Sequence, residues 1–595
     1  MSDRGVKDPV NSAREVYLIA AVVAVVGVVG GGVMLALRLG TDQEVPANPA
    51  VVLIDLVKGH LQWSTTATVI ITVYAVLVLA AAFVILVLVA RSRGKRTRVD
   101  DKAKHMGRLR DVGSLTEKRC RKESDRLGVI LEEGAAPGVP IGKHLLSGQN
   151  LYAKYEDMHV DIWGPRSGKS SSRVIPAILE APGAVLTTSN KRDVVDATRD
   201  PREAKGGKVW IFDPQKVADG ENTWWWDPLS WVTDEVRAAD LAAHFAAGDD
   251  GLDAKKDSFF DPEGQDLLTA LFLAAAAEQK PITQVYTWVT DETNVEPVNL
   301  LRKHGYDLHA SGLSGQYNAP AKQRGGVFGT ARKMIRCLKM QSIRPWVSTD
   351  GQRNRVPHFD PREFVRSNDT IYLLSREGNG SAGPLVTALT VAICEAAEEL
   401  ATRSKGGRLP VPLLAALDEA ANVVRWTQLP KLYSHYGSRG IVIMAILQSY
   451  AQGTEVWGNK GMGMLHSAAN VKVYGGGCEV AVDDNYLRSL STAIGEHWEY
   501  SGSVSSGRGG RSTSRQRTKI TTFTESELEE LPRGRAIVRS SGNRATLVKT
   551  VPWWEGPYAE QVRASIARHD PEADKTLAEA VTLTDDAEPK EVQPV

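Results

Sequence analysis

The triplet Gly168-Lys169-Ser170 closes a turn inside HVDIWGPRSGKSSSRVIPAIL, residues 159 to 179. A turn of this composition can hold phosphate. An apolar strand runs into Gly164-Pro165-Arg166-Ser167-Gly168, and a helical pattern follows through Ser171. Backbone N–H groups in such a turn face inward, and the helix N-terminus behind them adds partial positive charge. Lys169 would reach the β and γ phosphates of a nucleoside triphosphate, and Ser170 would ligate Mg2+. One position departs from the pattern. A full phosphate loop carries glycine five residues before Gly168, and Trp163 stands there. Gly164-Pro165 could still open a turn one residue tighter than usual. The plain alternative is a Ser/Gly-rich turn that happens to contain Gly-Lys-Ser.

A second motif argues against that alternative. LLAALDEA, residues 413 to 420, is an apolar strand ending in Asp418-Glu419. Asp418 at the end of such a strand would hold the hydrated metal, and Glu419 would orient and deprotonate the attacking water. An acid pair after an apolar run is more often a helix cap than a catalytic pair, so the weight lies in its combination with Lys169. One strand further on, Gln448 ends IVIMAILQ, where an amide could sense the γ phosphate; an ordinary strand cap is the alternative. Together these residues point to a P-loop NTPase acting with Mg2+; ATP as its nucleotide is what the family resemblance given below implies.

The elements that must position these groups are legible around them. HVDIW, GAVLTTS (183–189) and KVWIFDP (208–214) alternate with helical stretches, which predicts a parallel sheet with flanking helices. From about 228 to 340 the chain turns alanine-rich and helical, as in QDLLTALFLAAAAEQ. The gap of 249 positions from Lys169 to Asp418 therefore holds an inserted all-α domain. Strand patterns return with TIYLLS, LLAALDEA, GIVIMAILQS and NVKVYGG. SSGRGGRSTSRQRTK, from residue 505, reads as a mobile loop, and RAIVRSSGNRATLVKTV as a hairpin turning at Gly542-Asn543. LLSGQ (145–149) and LSGQ (313–316) echo the signature of ABC transporters, but both lack its second glycine and stand in the wrong places, so they read as turns. The expected division is a membrane anchor over 1–98, a charged linker over 99–127, and an α/β, RecA-like motor over 128–227 and 341–558. The insertion over 228–340 splits the motor, and an acidic, disordered tail over 559–595 completes the chain.

Bulk properties set the limits. The chain has 595 residues and 42% hydrophobic content, enough for an anchor and more than one soluble domain. With 72 basic and 71 acidic residues, net charge +1, any nucleic-acid footprint must be local. Four scattered cysteines with no CxxC pair show no zinc ribbon or disulfide framework, which suits a reducing compartment. Tyr17 to Leu37 and Thr65 to Ala90 are uncharged apolar runs, each long enough to span a bilayer. Basic residues precede the first (Arg4, Lys7, Arg14) and crowd the end of the second (Arg91, Arg93, Lys95, Arg96, Arg98). The positive-inside rule then predicts a multi-pass protein of the cytoplasmic membrane with both termini in the cytoplasm.

The order of these blocks carries a resemblance. Two spans, GPRSGKS, TTSNKRD, WIFDP followed by WDPL, LDEAANV, SRGIVIMAILQSYAQ and the late ESELEELPRGRAIV resemble the type IV coupling proteins, the membrane ATPases of conjugation and type IV secretion. The resemblance covers roughly residues 10 to 555. It implies a RecA-like motor, a membrane-distal all-α domain and a homo-hexamer pumping DNA, expected single-stranded and held without regard to sequence. A relaxase or relaxosome-type protein and the components of a type IV secretion channel would be its partners. It assigns Lys169 and Ser170 to the phosphate loop, Asp418 and Glu419 to the metal and water, and Gln448 to the γ phosphate. Arg439, in GSRGI, matches an arginine finger supplied to the neighbouring subunit. Arg508, Arg511, Arg515, Arg517 and Lys519 form a basic cluster without acids and are candidates for DNA contact. The Trp224-Trp225-Trp226 triplet is expected to be buried packing where the motor meets its insertion. Other readings stay open at this stage: an ATPase recruiting only protein substrates, or a membrane scaffold that binds nucleotide without hydrolysing it. Septal chromosome translocases fit less well, since they lack this helical insertion.

Overall fold

Short apolar runs rich in Val, Ile and Leu pair into one eleven-stranded sheet in the computed structural model of the chain. It describes residues 27–93, 97–249, 257–349, 356–376, 381–507 and 510–585. Two units, one of residues 1–96 with 584–595 and one over residues 97–583, are taken separately.

In the first unit, Gly27–Gly40 is a short apolar helix, Pro49–Val57 a second helix and Thr65–Arg93 a third. Thr65–Phe83 is the one stretch among the described residues long and apolar enough to cross a membrane. Val69, Val73, Leu77 and Phe83 on it are exposed, as a lipid-facing surface requires. The first expected span, 17–37, falls partly outside the described residues.

The strands of the second unit are β1 (Val139–His144), β2 (Asn150–Ala153), β3 (His159–Ile162), β4 (Val185–Ser189), β5 (Val209–Phe212), β6 (Thr370–Leu374), β7 (Leu413–Leu417), β8 (Ile441–Leu447), β9 (Val471–Tyr474), β10 (Glu496–Gly507), β11 (Gly510–Thr521), β12 (Arg535–Ser540) and β13 (Thr546–Lys549). Eleven of them run in the order β2-β1-β13-β12-β9-β3-β8-β7-β4-β6-β5. From β9 to β5 every pairing is parallel; from β9 outward, β12, β13, β1 and β2 pair antiparallel. β3, β4, β6, β7 and β8 are buried along their whole length, and β7 and β8 accordingly read as continuous apolar runs. Ligands of such sheets sit beyond the carboxyl ends of the parallel strands, the end from which residues 163–171, Asp418 and Gln448 leave.

Between β5 and β6 the chain makes a helical excursion. Glu235–Asp249, Phe260–Ala277, Thr283–Thr290, Glu296–Lys303, Asp307–Tyr317 and Ala321–Met334 pack around Phe245, Leu271, Phe272, Trp288 and Phe328. Trp224, Trp225 and Trp226 are buried, and Trp224 meets Trp346 edge-on at 5.6 Å and Phe359 at 5.3 Å. LSGQ at 313–316 lies inside the Asp307–Tyr317 helix and is not a turn, whereas 145–149 does form the turn between β1 and β2.

The excursion also carries an acid-sensitive group. His244, 4% exposed, lies 6.2 Å from the Trp231 ring, and its Nε2 has no hydrogen-bond partner. Burial holds its imidazole pKa down to about 4 from an ordinary 6.5. As pH falls from about 6.5 toward 4, the unfolded chain takes a proton that the folded chain refuses, so stability is lost across that window. His244→Phe should remove about 2 kcal/mol of the loss at pH 5, at roughly 1.4 kcal/mol per pKa unit. Urea unfolding at pH 7.5 and pH 5 measures it; parallel pH dependence in both proteins would refute it.

Three further expectations need correction. Residues 99–127 are not a solvated linker. They fold as Asp100–His105, Leu109–Leu115 and Glu117–Leu127, burying Val99, Met106, Val112, Leu115 and Cys120, with Arg535 Nε 2.7 Å from Asp100. Mixed charge hid an apolar set spaced too irregularly to show a period. Apart from 508 and 509, which lie outside the described residues, the stretch from 505 is not a loop but part of the β10–β11 ribbon, whose backbone groups pair across a ladder without needing burial. Trp498 faces Lys519 and Tyr500 faces Arg517 in that ladder; Arg517 lies 4.2 Å over the Trp498 ring and Lys519 5.7 Å from it. Arg511 and Arg515 are placed only by register, opposite Ser506 and Gly502, and Arg508 lies outside the described residues. Finally, the acidic tail is helical as far as it is described. Ala559–His569 and Ala573–Asp585 bury Val562, Ile566 and Ala580 against Ile175, Leu179 and Ala197. His569 Nε2 stands 2.7 Å from Asp200 Oδ1.

Candidate functional site

β3 hands the chain to the phosphate loop through a close contact with the run Gly475-Gly476-Gly477. Trp163 N donates to Leu447 O at 3.0 Å, Gly164 N to Gly476 O at 2.9 Å, and Gly475 N to Ile162 O at 3.0 Å. The Trp163 ring lies flat on Gly475: a Cβ there would come within 2.1 Å of it, and one on Gly164 within 2.0 Å of Gly477 O. The indole that replaces the usual glycine thus occupies a slot left by a missing side chain. Both halves of this fit were visible in the sequence, but only the fold pairs them.

Past that slot the turn is built for an anion. Arg166 (φ 59°) and Gly168 (φ 91°) take left-handed conformations that bend the backbone around a hollow. The amides of Arg166, Ser167, Gly168 and Lys169 have no acceptor among the described residues. Ser167 Oγ donates to Gly164 O at 2.5 Å and Ser171 Oγ to Gly168 O at 3.1 Å, which brace the turn from inside. Ser170 opens a π-helical turn, Ser170–Val174, that continues as the Ile175–Glu180 helix. π turns of this kind cluster at functional sites. Beneath it Arg173 Nε meets Asp161 Oδ2 at 2.7 Å, both fully buried, and Arg173 also donates to Pro140 O. Burial, with the Arg173 charge, holds His159 well below its ordinary pKa, so its Nδ1 can accept from Arg173 Nη2 at 3.2 Å. This cluster fixes the phosphate-loop helix to β3.

The acid pair converges on the same hollow. Lys169 Nζ is 2.9 Å from Asp418 Oδ1 and 2.5 Å from Glu419 Oε1. Gln448 Nε2 donates to both Glu419 oxygens at 2.9 Å, and Asn422 Nδ2 to Oε2 at 3.3 Å. Gln452 Nε2 in turn donates to Asn422 Oδ1 at 2.7 Å. Glu419 adopts φ 56°, ψ 44°, a left-handed conformation that costs a non-glycine residue about 1–2 kcal/mol. Such strain persists only where surroundings over-determine it, commonly at working sites. Burial pushes the Asp418 carboxyl up to about 6, against the pull of Lys169. For Lys169 burial works downward, and the two carboxylates outweigh it, so the ammonium stays charged.

The structure therefore brings together residues 164–171, Asp418, Glu419 and Gln448, from three segments far apart in sequence. It does not bring Arg439 to them. Arg439 follows the Leu429–Ser438 helix at the amino end of β8, with Nη1 donating to Gly407 O at 3.0 Å. Seven residues of strand, about 3.3 Å each, separate it from Gln448 at the other end. Asn422 and Gln452 were missed as functional groups. Asn422 stands three residues after Glu419 in LDEAANV and Gln452 four after Gln448, helical spacings that signal a shared face.

Comparisons with known proteins bear on the fold around this site. Residues 412–533 match the family model described as the TraM recognition site of TraD and TraG. The bacterial conjugative coupling protein TrwBdeltaN70, in its trigonal form with sulphate, superposes with a TM-score of 0.51 at 15% identity, over 73% of this chain and 92% of that one. Its unbound monoclinic form gives 0.50 at 16% identity, over 69% and 88%. A further similar structure, plasmid coupling protein TrwB in complex with ADP and Mg2+, gives 0.49 at 16% identity, over 69% and 90%. No curated protein sequence matches the chain at a significant level.

Proposed function

Starting from a chain that resembles type IV coupling proteins, in its TraD/TraG-like segment 412–533 and in a fold like that of TrwB, we propose a membrane-anchored ATPase that drives DNA transfer. It would deliver DNA, single-stranded and gripped without regard to sequence, with an attached relaxase-type protein to a type IV secretion channel. Six copies would form a ring at the cytoplasmic membrane, anchored by two spans of which Thr65–Phe83 is one, with both termini in the cytoplasm. The observation that carries the reading is the convergence of Lys169, Asp418, Glu419 and Gln448 on one hollow.

The residues fit ATP and Mg2+. Free amides at 166–169, an ammonium, a Ser170 hydroxyl without a partner among the described residues and a buried carboxylate are the donor set such a pair needs. Ser170 and Asp418 would hold the metal, which when bound offsets charge on the β and γ oxygens. Residues 164–171 would wrap the phosphates. Lys169 would exchange Glu419 for phosphate oxygens, freeing Glu419 to take a proton from the attacking water. Gln448 and Asn422, bonded to Glu419, would keep that carboxylate aimed. Arg439 of a neighbouring subunit is the candidate to complete the site across the ring.

The β10–β11 ribbon is the best DNA-contact element. Trp498 and Tyr500 are 47% and 68% exposed, and Arg517 and Lys519 stand over them, a pairing of stacking surface and cation that suits single strands. The test is ATP hydrolysis by the full chain in detergent, with and without single-stranded DNA. Wild type should hydrolyse ATP and be stimulated by DNA. Lys169→Ala should abolish turnover, and the Trp498→Ala/Arg517→Ala pair should keep basal turnover while losing stimulation. Turnover without any response to DNA would favour an ATPase serving protein substrates alone; no turnover would defeat the motor reading.

A further inference from the structure

Arg533 lies against the phosphate loop of its own chain. A Cβ placed on Gly168 would be 3.3 Å from Arg533 Nε, 3.8 Å from Nη2 and 3.6 Å from Ser171 Oγ. The guanidinium thus stands beside Gly168 near Ser171, while the Lys169 ammonium is paired with Asp418 and Glu419.

A stiff turn presents it. Arg535 N donates to Pro532 O at 3.1 Å, and Gly534 has φ 84°, the arrangement of a type II turn with Arg533 at its second position. Thr550 N donates to Gly534 O at 3.0 Å, and Arg535 is tied to Asp100 through Nε at 2.7 Å and Nη2 at 2.8 Å. The base of the side chain is thus fixed on both flanks. Its head is not: Arg533 makes no hydrogen bond or ion pair with any described residue. Burial presses its pKa down, opposed by the more distant Glu579 in the Ala573–Asp585 helix. An arginine remains charged under such a perturbation. An exposed cation with no hydrogen bond or ion pair to any described residue, beside free backbone amides, is arranged to receive an anion.

We propose that Arg533 is a nucleotide-binding residue acting in cis, gripping the diphosphate end of the bound nucleotide. The inference rests on the nucleotide reading of the site and deepens it. In a phosphate loop the residues just past the metal-binding serine flank the α and β phosphates, whereas lysine and acid pair attend the β and γ phosphates. Ser171 is that residue here. Arg533 should thus serve ADP and ATP alike, unlike a finger from a neighbouring subunit, which acts on charge developing at the γ phosphate.

The experiment measures ADP binding by calorimetry and steady-state ATP hydrolysis, using the full chain in detergent. Arg533→Ala should weaken ADP binding and raise KM by roughly tenfold to a hundredfold, the range for hydrogen bonds to charged groups. Its kcat should stay within about threefold of wild type, the pattern of lost uniform binding. Arg533→Lys should recover part of the affinity, and melting without nucleotide should be unchanged in both variants. Unchanged ADP affinity in Arg533→Ala overturns the assignment, as does a collapse of kcat at constant KM. If wild type itself binds no ADP, the nucleotide site fails as a whole, an outcome distinct from either.

Discussion

Glu419→Gln will bind ATP and Mg2+ about as well as wild type and turn it over roughly 10²- to 10⁴-fold more slowly, the contribution typical of a positioned general base. The substitution keeps the side chain's shape while removing its basicity and charge and turning one acceptor oxygen into a donor. Gln448 Nε2 and Asn422 Nδ2 still find an oxygen to donate to, and Lys169 keeps Asp418 at 2.9 Å. The left-handed backbone at Glu419 is imposed by the strand end and the Ala420–Val423 helix that follows, so it should survive. Single-turnover hydrolysis and binding of a fluorescent ATP analogue separate the two effects. A kcat within about threefold of wild type would remove Glu419 from the chemistry and leave it as a tether for Lys169. Lys169→Ala should differ in kind: it deletes a phosphate ligand and leaves two buried carboxylates unpaired, so affinity and turnover fall together.

The groups that converge on the hollow were legible in sequence because each closes an apolar run. Ile162, Leu417 and Leu447 end buried strands, and a polar residue follows each within a few positions. Parallel pairing of β3 with β8 and of β8 with β7 then places Gly168, Asp418 and Gln448 at one edge. The helical excursion was legible for a similar reason, since alanine-rich stretches such as Phe260–Ala277 carry their own period. What stayed hidden depends on partners distant in sequence. β1 pairs β13 across some 400 residues, and the short runs VPIGKH and NLYA carry too little pattern to announce a sheet extension. Ala573–Asp585 looked like solvated tail because acids outnumber bases from Asp570 onward, yet Leu577 and Ala580 pack on the phosphate-loop helix. Arg533 gave no signal, since its neighbour Gly168 lies 365 positions away.

The fit between Trp163 and Gly475 makes the second large prediction. Gly475→Ala adds a methyl 2.1 Å from the indole of Trp163, far inside contact distance, and both residues sit at strand ends that cannot move apart without breaking the Gly475 N to Ile162 O bond. The variant should lose stability and, because Trp163 leads directly into Gly164 and the turn, nucleotide affinity. Trp163→Ala should also destabilise, by about 3–5 kcal/mol, since an almost fully buried indole leaves a cavity. The double variant should be milder than the sum, with a favourable coupling of about 1–3 kcal/mol, because the space one change opens is the space the other fills. Denaturant unfolding of the four proteins gives the cycle, and ADP affinity in the same four reports whether the turn regains its shape. Additive losses would mean that the two residues do not share this space in solution. Coupling in stability without recovery of ADP binding would separate the packing of the slot from the geometry of the turn.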